Sequence, residues 1–83
     1  MDESKIVETL TDYVRKQFDI GDDPDFSTSV NLFDYGYVDS LGAVEIINFV
    51  EEFFHCEITQ KDISKYPMNS IEEIAEVVAQ KLK

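Results

Sequence analysis

Ile6, Leu10, Val14 and Phe18 recur every four residues with Val7 beside them, and no run alternates with period two long enough to demand a strand. Such spacing places apolar side chains on one stripe of a helix, and that stripe must be buried against other elements. A second stripe, Ala43, Ile46, Ile47, Val50 and Phe54, belongs to a helix from Ser40 to about Phe54 with Asp39 as its N-cap. Thr59 can cap a short helix from Gln60 to about Tyr66, which Pro67 prevents from extending. The last helix opens on Ser70-Ile71-Glu72-Glu73, a capping-box pattern, and shows Ile71, Ile74, Ala75, Val78 and Leu82 on one side. The first helix, roughly Ser4 to Phe18, ends at Gly21-Asp22-Asp23-Pro24. The expected fold class is all-α: a small four-helix bundle of three main helices and one short helix.

Between the first and second helices, from Asp19 to Val38, no helical period survives. Connections of that length in a compact domain are usually functional or disordered. This one contains Phe26, Val30, Leu32, Phe33, Tyr35 and Tyr37, so a packed long loop, with room for a helical turn, is expected. The 83 residues leave no room for a second core, so residues 1–83 read as a single domain.

Composition removes several functions. Eighteen acids against seven bases give a net charge of −11, which argues against nucleic-acid binding through phosphates and against a polybasic lipid anchor. With 43% hydrophobic residues the chain is too apolar for an acidic disordered tail. Cys56 stands alone, which forbids an internal disulfide and makes a cytoplasmic setting natural. One His and one Cys cannot build a zinc site without several carboxylates or a second chain. Met1-Asp2-Glu3-Ser4-Lys5 lacks the order of a signal peptide, and no apolar run suggests a membrane span, so no direct membrane insertion is expected.

The charge is concentrated. No Lys or Arg lies between Gln17 and Gln60, whereas Asp19, Asp22, Asp23, Asp25, Asp34, Asp39, Glu45, Glu51, Glu52 and Glu57 all do. Such a stretch is either a solvated acidic face or a docking surface for a basic partner. Around the second helix, Leu41, Glu45, Asn48 and Glu52 fall opposite the apolar stripe, with Val44, Phe49 and Glu51 on the flanks. Apolar Leu41 and Val44 among carboxylates suggest contact anchors with a charged rim.

Ser40 sits in the first turn of this helix, where free amides and the helix dipole favour a phosphate. Asp39 and Ser40 also read simply as alternative N-caps. A self-activated nucleophile needs a base nearby, and the single His, His55, lies roughly 20 Å away at the far end of the same helix. Ser40 is therefore a poor nucleophile by itself.

Asp39-Ser40-Leu41, then Val44-Glu45, Glu51-Glu52, Phe54 and Glu57-Ile58, resembles the acyl carrier protein family over essentially the whole chain. The family is not catalytic. The resemblance implies that a separate phosphopantetheinyl transferase (holo-synthase) moves 4'-phosphopantetheine from coenzyme A onto Ser40 Oγ, with Asp39 as the motif acid. The terminal thiol of that arm then carries acyl groups as thioesters in fatty-acid, polyketide-like or specialised lipid biosynthesis. It further implies a monomer whose partners are loading ligases and acyl-processing or acyltransferase enzymes. Their basic patches would meet Leu41, Val44, Glu45, Asn48, Glu51 and Glu52.

The run Leu32 to Gly42, with Gly36-Tyr37-Val38 before the motif, is similar to D-alanyl and other stand-alone carriers, which an adenylating ligase loads. A different class of reading is an acidic interaction module that is never modified. Family members often have Gly after the Phe ending the second helix; here it is His55. Cys56 reads as a small buried hydrophobe rather than half of a Cys–His pair. Phe49, Phe53 and Phe54 read as core or as walls of an acyl pocket. Tyr35 and Tyr37 either pack the loop or touch the arm.

Overall fold

Asp2 Oδ1 accepts the Lys5 N–H at 2.9 Å and so starts the first helix, α1 (Glu3–Gln17), two residues into the chain. The computed structural model describes residues 2–82, and in them three further helices follow: α2 (Ser40–Phe54), α3 (Gln60–Lys65) and α4 (Ile71–Lys81). The all-helical expectation holds. Three long helices and one short one surround a core in which Ile6, Leu10, Val14, Leu32, Val50, Ile71 and Val78 are almost wholly buried.

Local chemistry sets each boundary. α1 stops because Asp19 turns left-handed, at φ 54°. The Ile20 N–H then reaches the Arg15 carbonyl at 3.0 Å, and the Asp19 N–H reaches Lys16 at 3.4 Å. This is a Schellman closure with Asp in the position usually held by Gly. The capping boxes expected at Thr59 and Ser70 both form, with Asp62 and Glu73 as the reciprocal acceptors. Tyr66 ends α3 in extended backbone, one residue earlier than expected and just ahead of Pro67.

The 22 residues between α1 and α2 contain no helix, but a single helical turn forms within them, with the Tyr35 N–H donating to the Asn31 carbonyl at 3.2 Å. Phe26, Leu32 and Val38 are nevertheless buried, as a packed loop requires. The loop hangs from the start of α4. Leu32 N–H donates to the Asn69 carbonyl at 2.8 Å, and Glu72 N–H donates to the Thr28 carbonyl at 3.0 Å. Thr28 Oγ1 also donates to the Glu72 carboxylate at 2.6 Å. α1 and α4 pack directly on each other.

Two apolar stripes shift. Leu82, expected in the core, is 38% exposed past the end of α4, while Val77 is buried in its place. α4 is covered from a wider arc than one stripe, because α1 and the loop both close on it. In α2, Ile46, Val50 and Phe54 are buried, but Ala43 and Ile47 are only partly so, since a small cavity and an open groove lie beside them.

Candidate functional site

The approach to α2 is held by one carbonyl. Leu32 O accepts both the Tyr37 N–H at 3.0 Å and the Val38 N–H at 3.1 Å, which closes the loop into a ring ahead of the helix. Gly36, at φ +77°, supplies the left-handed turn this ring needs. Val38 then plugs into the core, and Asp39 follows in extended backbone.

Asp39 takes the cap. Its Oδ1 accepts the Gly42 N–H at 2.8 Å, and its carbonyl accepts the Ala43 N–H at 2.9 Å. Of the two candidate caps the structure uses Asp39, which leaves Ser40 as the first helical residue with its side chain exposed. Residues at this position have backbone amides with no partner inside the helix, and the positive end of the dipole lies there. Gly42 fits because nothing larger does: a Cβ would come within 2.7 Å of Phe18 Cε1 and 2.9 Å of Val38 Cγ1. The C-terminal cap of α1 thus abuts the first turn of α2, where Asp39 caps the helix and Gly42 allows the close approach.

The outward face of α2 divides in two. Leu41 is 69% exposed and Val44 53%, with Asn48 and Glu52 also exposed. Glu45 and Glu51, by contrast, are engaged within the fold. Gln17 Nε2 donates to the Glu45 carboxylate at 3.1 Å, and the Tyr13 hydroxyl donates to the Glu45 carbonyl at 3.3 Å. Partial burial, then the Glu45 charge, raises the Tyr13 pKa. Glu51 Oε2 accepts the Ile58 N–H at 2.9 Å, which ties down the turn after α2. A stabilising reach of seven residues is invisible to helical-wheel reasoning.

At the other end of α2, His55 is left-handed (φ 55°, ψ 48°), as a residue replacing the family's Gly must be to end the helix there. His55 is exposed and Cys56 half-buried. Burial, reinforced by the Glu51 charge, pushes the Cys56 thiol pKa up, the opposite of what a reactive thiolate requires. Phe49 stacks on Tyr13 with centroids 3.9 Å apart, Phe54 is buried, and Phe53 is half exposed. They line the α1–α2 seam, not a cavity. A small apolar cavity of about 30 Å³ lies instead among Leu32, Phe33, Ile46, Val50, Met68 and Ile74. A more open groove of about 250 Å³, between Phe33, Ile47, Ile63, Tyr66 and Met68, borders α3. Three loop residues, Leu32, Phe33 and Met68, bound the smaller cavity, and no periodic signal marks them.

Among the described residues, no group of three or more His, Cys, Asp or Glu could hold a metal ion, and no helix is long and apolar enough to cross a membrane.

A family model described as a phosphopantetheine attachment site matches residues 8–78, from the middle of α1 to near the end of α4. The chain belongs to the acyl carrier protein family. It is 35% identical over 72 residues to the chloroplastic acyl carrier protein of Brassica napus, across 87% of this chain. The match takes in 52% of that relative, so the chain spans about half its length. An acyl carrier holds a covalently attached 4'-phosphopantetheine. The start of α2 fits such a group: an exposed hydroxyl, helix-end amides, and a dipole that tolerates a phosphodiester. The exposed apolar pair, Leu41 and Val44, follows within the next turn of the same helix.

Proposed function

We propose that Ser40 is the attachment serine and that the chain is a single, monomeric carrier domain that presents acyl groups to partner enzymes without itself being an enzyme. The observation that carries this reading is the division of labour at the helix start. Asp39 satisfies the cap, so the Ser40 hydroxyl is exposed and unneeded by the fold. A phosphopantetheinyl transferase supplies the base that Ser40 lacks. The Ser40 Oγ–phosphorus bond forms as the coenzyme A phosphoanhydride breaks, the Ser40 proton passes to the transferase, and adenosine 3',5'-bisphosphate leaves. The arm, once in place, supplies a terminal thiol that holds acyl groups as thioesters. Leu41, Val44, Asn48 and Glu52 offer free contacts to basic partners, while Glu45 and Glu51 add charge from carboxylates that also bond within the fold. A single cysteine, Cys56, suits a reducing compartment such as the cytoplasm.

A second reading, an aminoacyl carrier of the D-alanyl type, is favoured by the run Leu32 to Gly42, which is similar to stand-alone carriers of that kind. That run is the one that leads into the exposed Ser40. Both readings share the first test: incubation with a promiscuous phosphopantetheinyl transferase, magnesium and coenzyme A, followed by intact mass. The wild-type chain gains one arm and Ser40→Ala gains none; a gain that survives Ser40→Ala overturns the assignment. Loading the modified protein with adenylating ligases then separates the two cargoes by which acid forms a thioester.

A further inference from the structure

Three rings form a ladder in the loop that leads to Ser40. Phe26 meets Tyr37 edge-on at 5.5 Å, and Tyr37 lies parallel to Tyr35 at 6.0 Å with planes 8° apart. The inner end is closed by a cation: the Arg15 guanidinium sits 4.6 Å from the Phe26 ring centre. The outer end is open, for Tyr35 is 57% exposed.

One exposed tyrosine is ordinary. A tyrosine fixed by stacking and surrounded by carboxylates is a different surface. Asp23 and Asp25 belong to the same loop, and after partial burial their charges raise the pKa of the Tyr37 hydroxyl. Asp34 is exposed next to Tyr35. No basic residue occurs between Gln17 and Gln60 to neutralise this group from within its own stretch. Aromatic faces attract cations, and a planar guanidinium stacks on them where an ammonium does not.

We propose that the Tyr35–Tyr37 face is a docking surface for an arginine carried by the enzyme that acts on Ser40, approaching on the loop side of the serine. The occupant rests on the carrier reading. Only Gly36 to Asp39 separate Tyr35 from Ser40, and the bonds to the Leu32 carbonyl fix that short connection. An enzyme that brings a base to Ser40 therefore comes close to this loop as well as to α2. Charge complementarity selects a basic surface, and the stacked rings select arginine from among basic groups.

The test is kcat/KM for arm transfer by a phosphopantetheinyl transferase, read by intact mass on wild type, Tyr35→Leu and Tyr35→Phe. Tyr35→Leu lowers kcat/KM about two- to fivefold, the range of an exposed cation–π contact, and Tyr35→Phe stays close to wild type. Melting curves of the variants check the fold, which a side chain this exposed should not disturb. N-acetyl-arginine amide slows transfer to wild type more than its lysine counterpart at equal ionic strength, and loses that advantage on Tyr35→Leu. Unchanged kinetics for Tyr35→Leu, an equal loss in Tyr35→Phe, or equal inhibition by the two amides overturns the docking surface while Ser40 modification stands. Failure of the wild type to gain mass overturns the carrier reading and this occupant with it.

Discussion

Lys81 Nζ lies 2.7 Å from Asp62 Oδ2, a charged hydrogen bond that joins the last turn of α4 to the first turn of α3. Asp62 also accepts the Thr59 N–H and hydroxyl, both at 2.9 Å, so one carboxylate caps α3 and moors it. No side chain of α3 is fully buried, so this polar mooring carries much of its attachment to the rest of the fold.

The Lys81 bond, followed by the two Thr59 bonds, holds the Asp62 carboxyl at about 2, below the ordinary value of about 3.9. As pH falls the unfolded chain therefore takes up this proton first. The stabilisation is complete above about pH 4 and is lost as pH drops through about 2. The melting-temperature gap between wild type and Asp62→Asn should hold steady from neutral pH to about 5 and close by about 2. A gap that persists unchanged in acid would refute this account.

Gly42→Ala pits helix propensity against packing. Alanine gains about 1 kcal/mol in a helix interior. Its Cβ, however, would sit 2.7 Å from Phe18 and 2.9 Å from Val38, and overpacking of that kind costs about 1–3 kcal/mol. Urea denaturation should show a net loss for Gly42→Ala. Gly36→Ala should lose about 1–2 kcal/mol for the other reason, a left-handed backbone with open space around it.

His55 adopts the left-handed region without the freedom of glycine. His55→Gly should raise stability by about 0.5–1 kcal/mol, after allowing for the extra entropy of the unfolded chain. Chemical denaturation checks the sign, and a loss would reveal that the imidazole contributes more than its exposed position suggests.

The adjacent acids Glu51 and Glu52 should separate under charge reversal. Glu52→Lys leaves stability within about 0.5 kcal/mol and slows arm transfer at low salt, an effect that fades as ionic strength rises. Glu51→Lys also strips the Ile58 N–H of its acceptor and lowers stability by about 1–3 kcal/mol. Parallel transferase kinetics and urea midpoints distinguish them. Equal behaviour in both assays would mean that the Glu51 bond contributes nothing.

What the sequence reveals and what it hides follow from the range of the interactions. Asp39, Thr59 and Ser70 announce their helices because a cap bonds a backbone amide only two or three residues away. The family resemblance singles out Ser40 and the outward pair Leu41 and Val44, and the structure brings them together on one exposed turn. The Glu51–Ile58 and Gln17–Glu45 bonds escape notice because they span turns or separate helices. Val77 and Leu82 exchange places for a related reason: a wheel assigns an angle, but burial depends on what covers that angle and on where the helix stops. The cavity beside α2 is bounded in part by Leu32 and Met68, two loop residues that only the completed fold brings together.

The hydrogen bonds from Leu32 to Asn69 and from Glu72 to Thr28 carry a consequence for biosynthesis. Translation delivers Ser40 well before it delivers Asn69 and Glu72, the residues from which the approach to that serine is suspended. A nascent chain arrested ahead of α4 would display the serine on an unanchored loop, with α1 lacking the helix it packs against. On the carrier reading proposed above, the approach to Ser40 is therefore anchored only once α4 has been made.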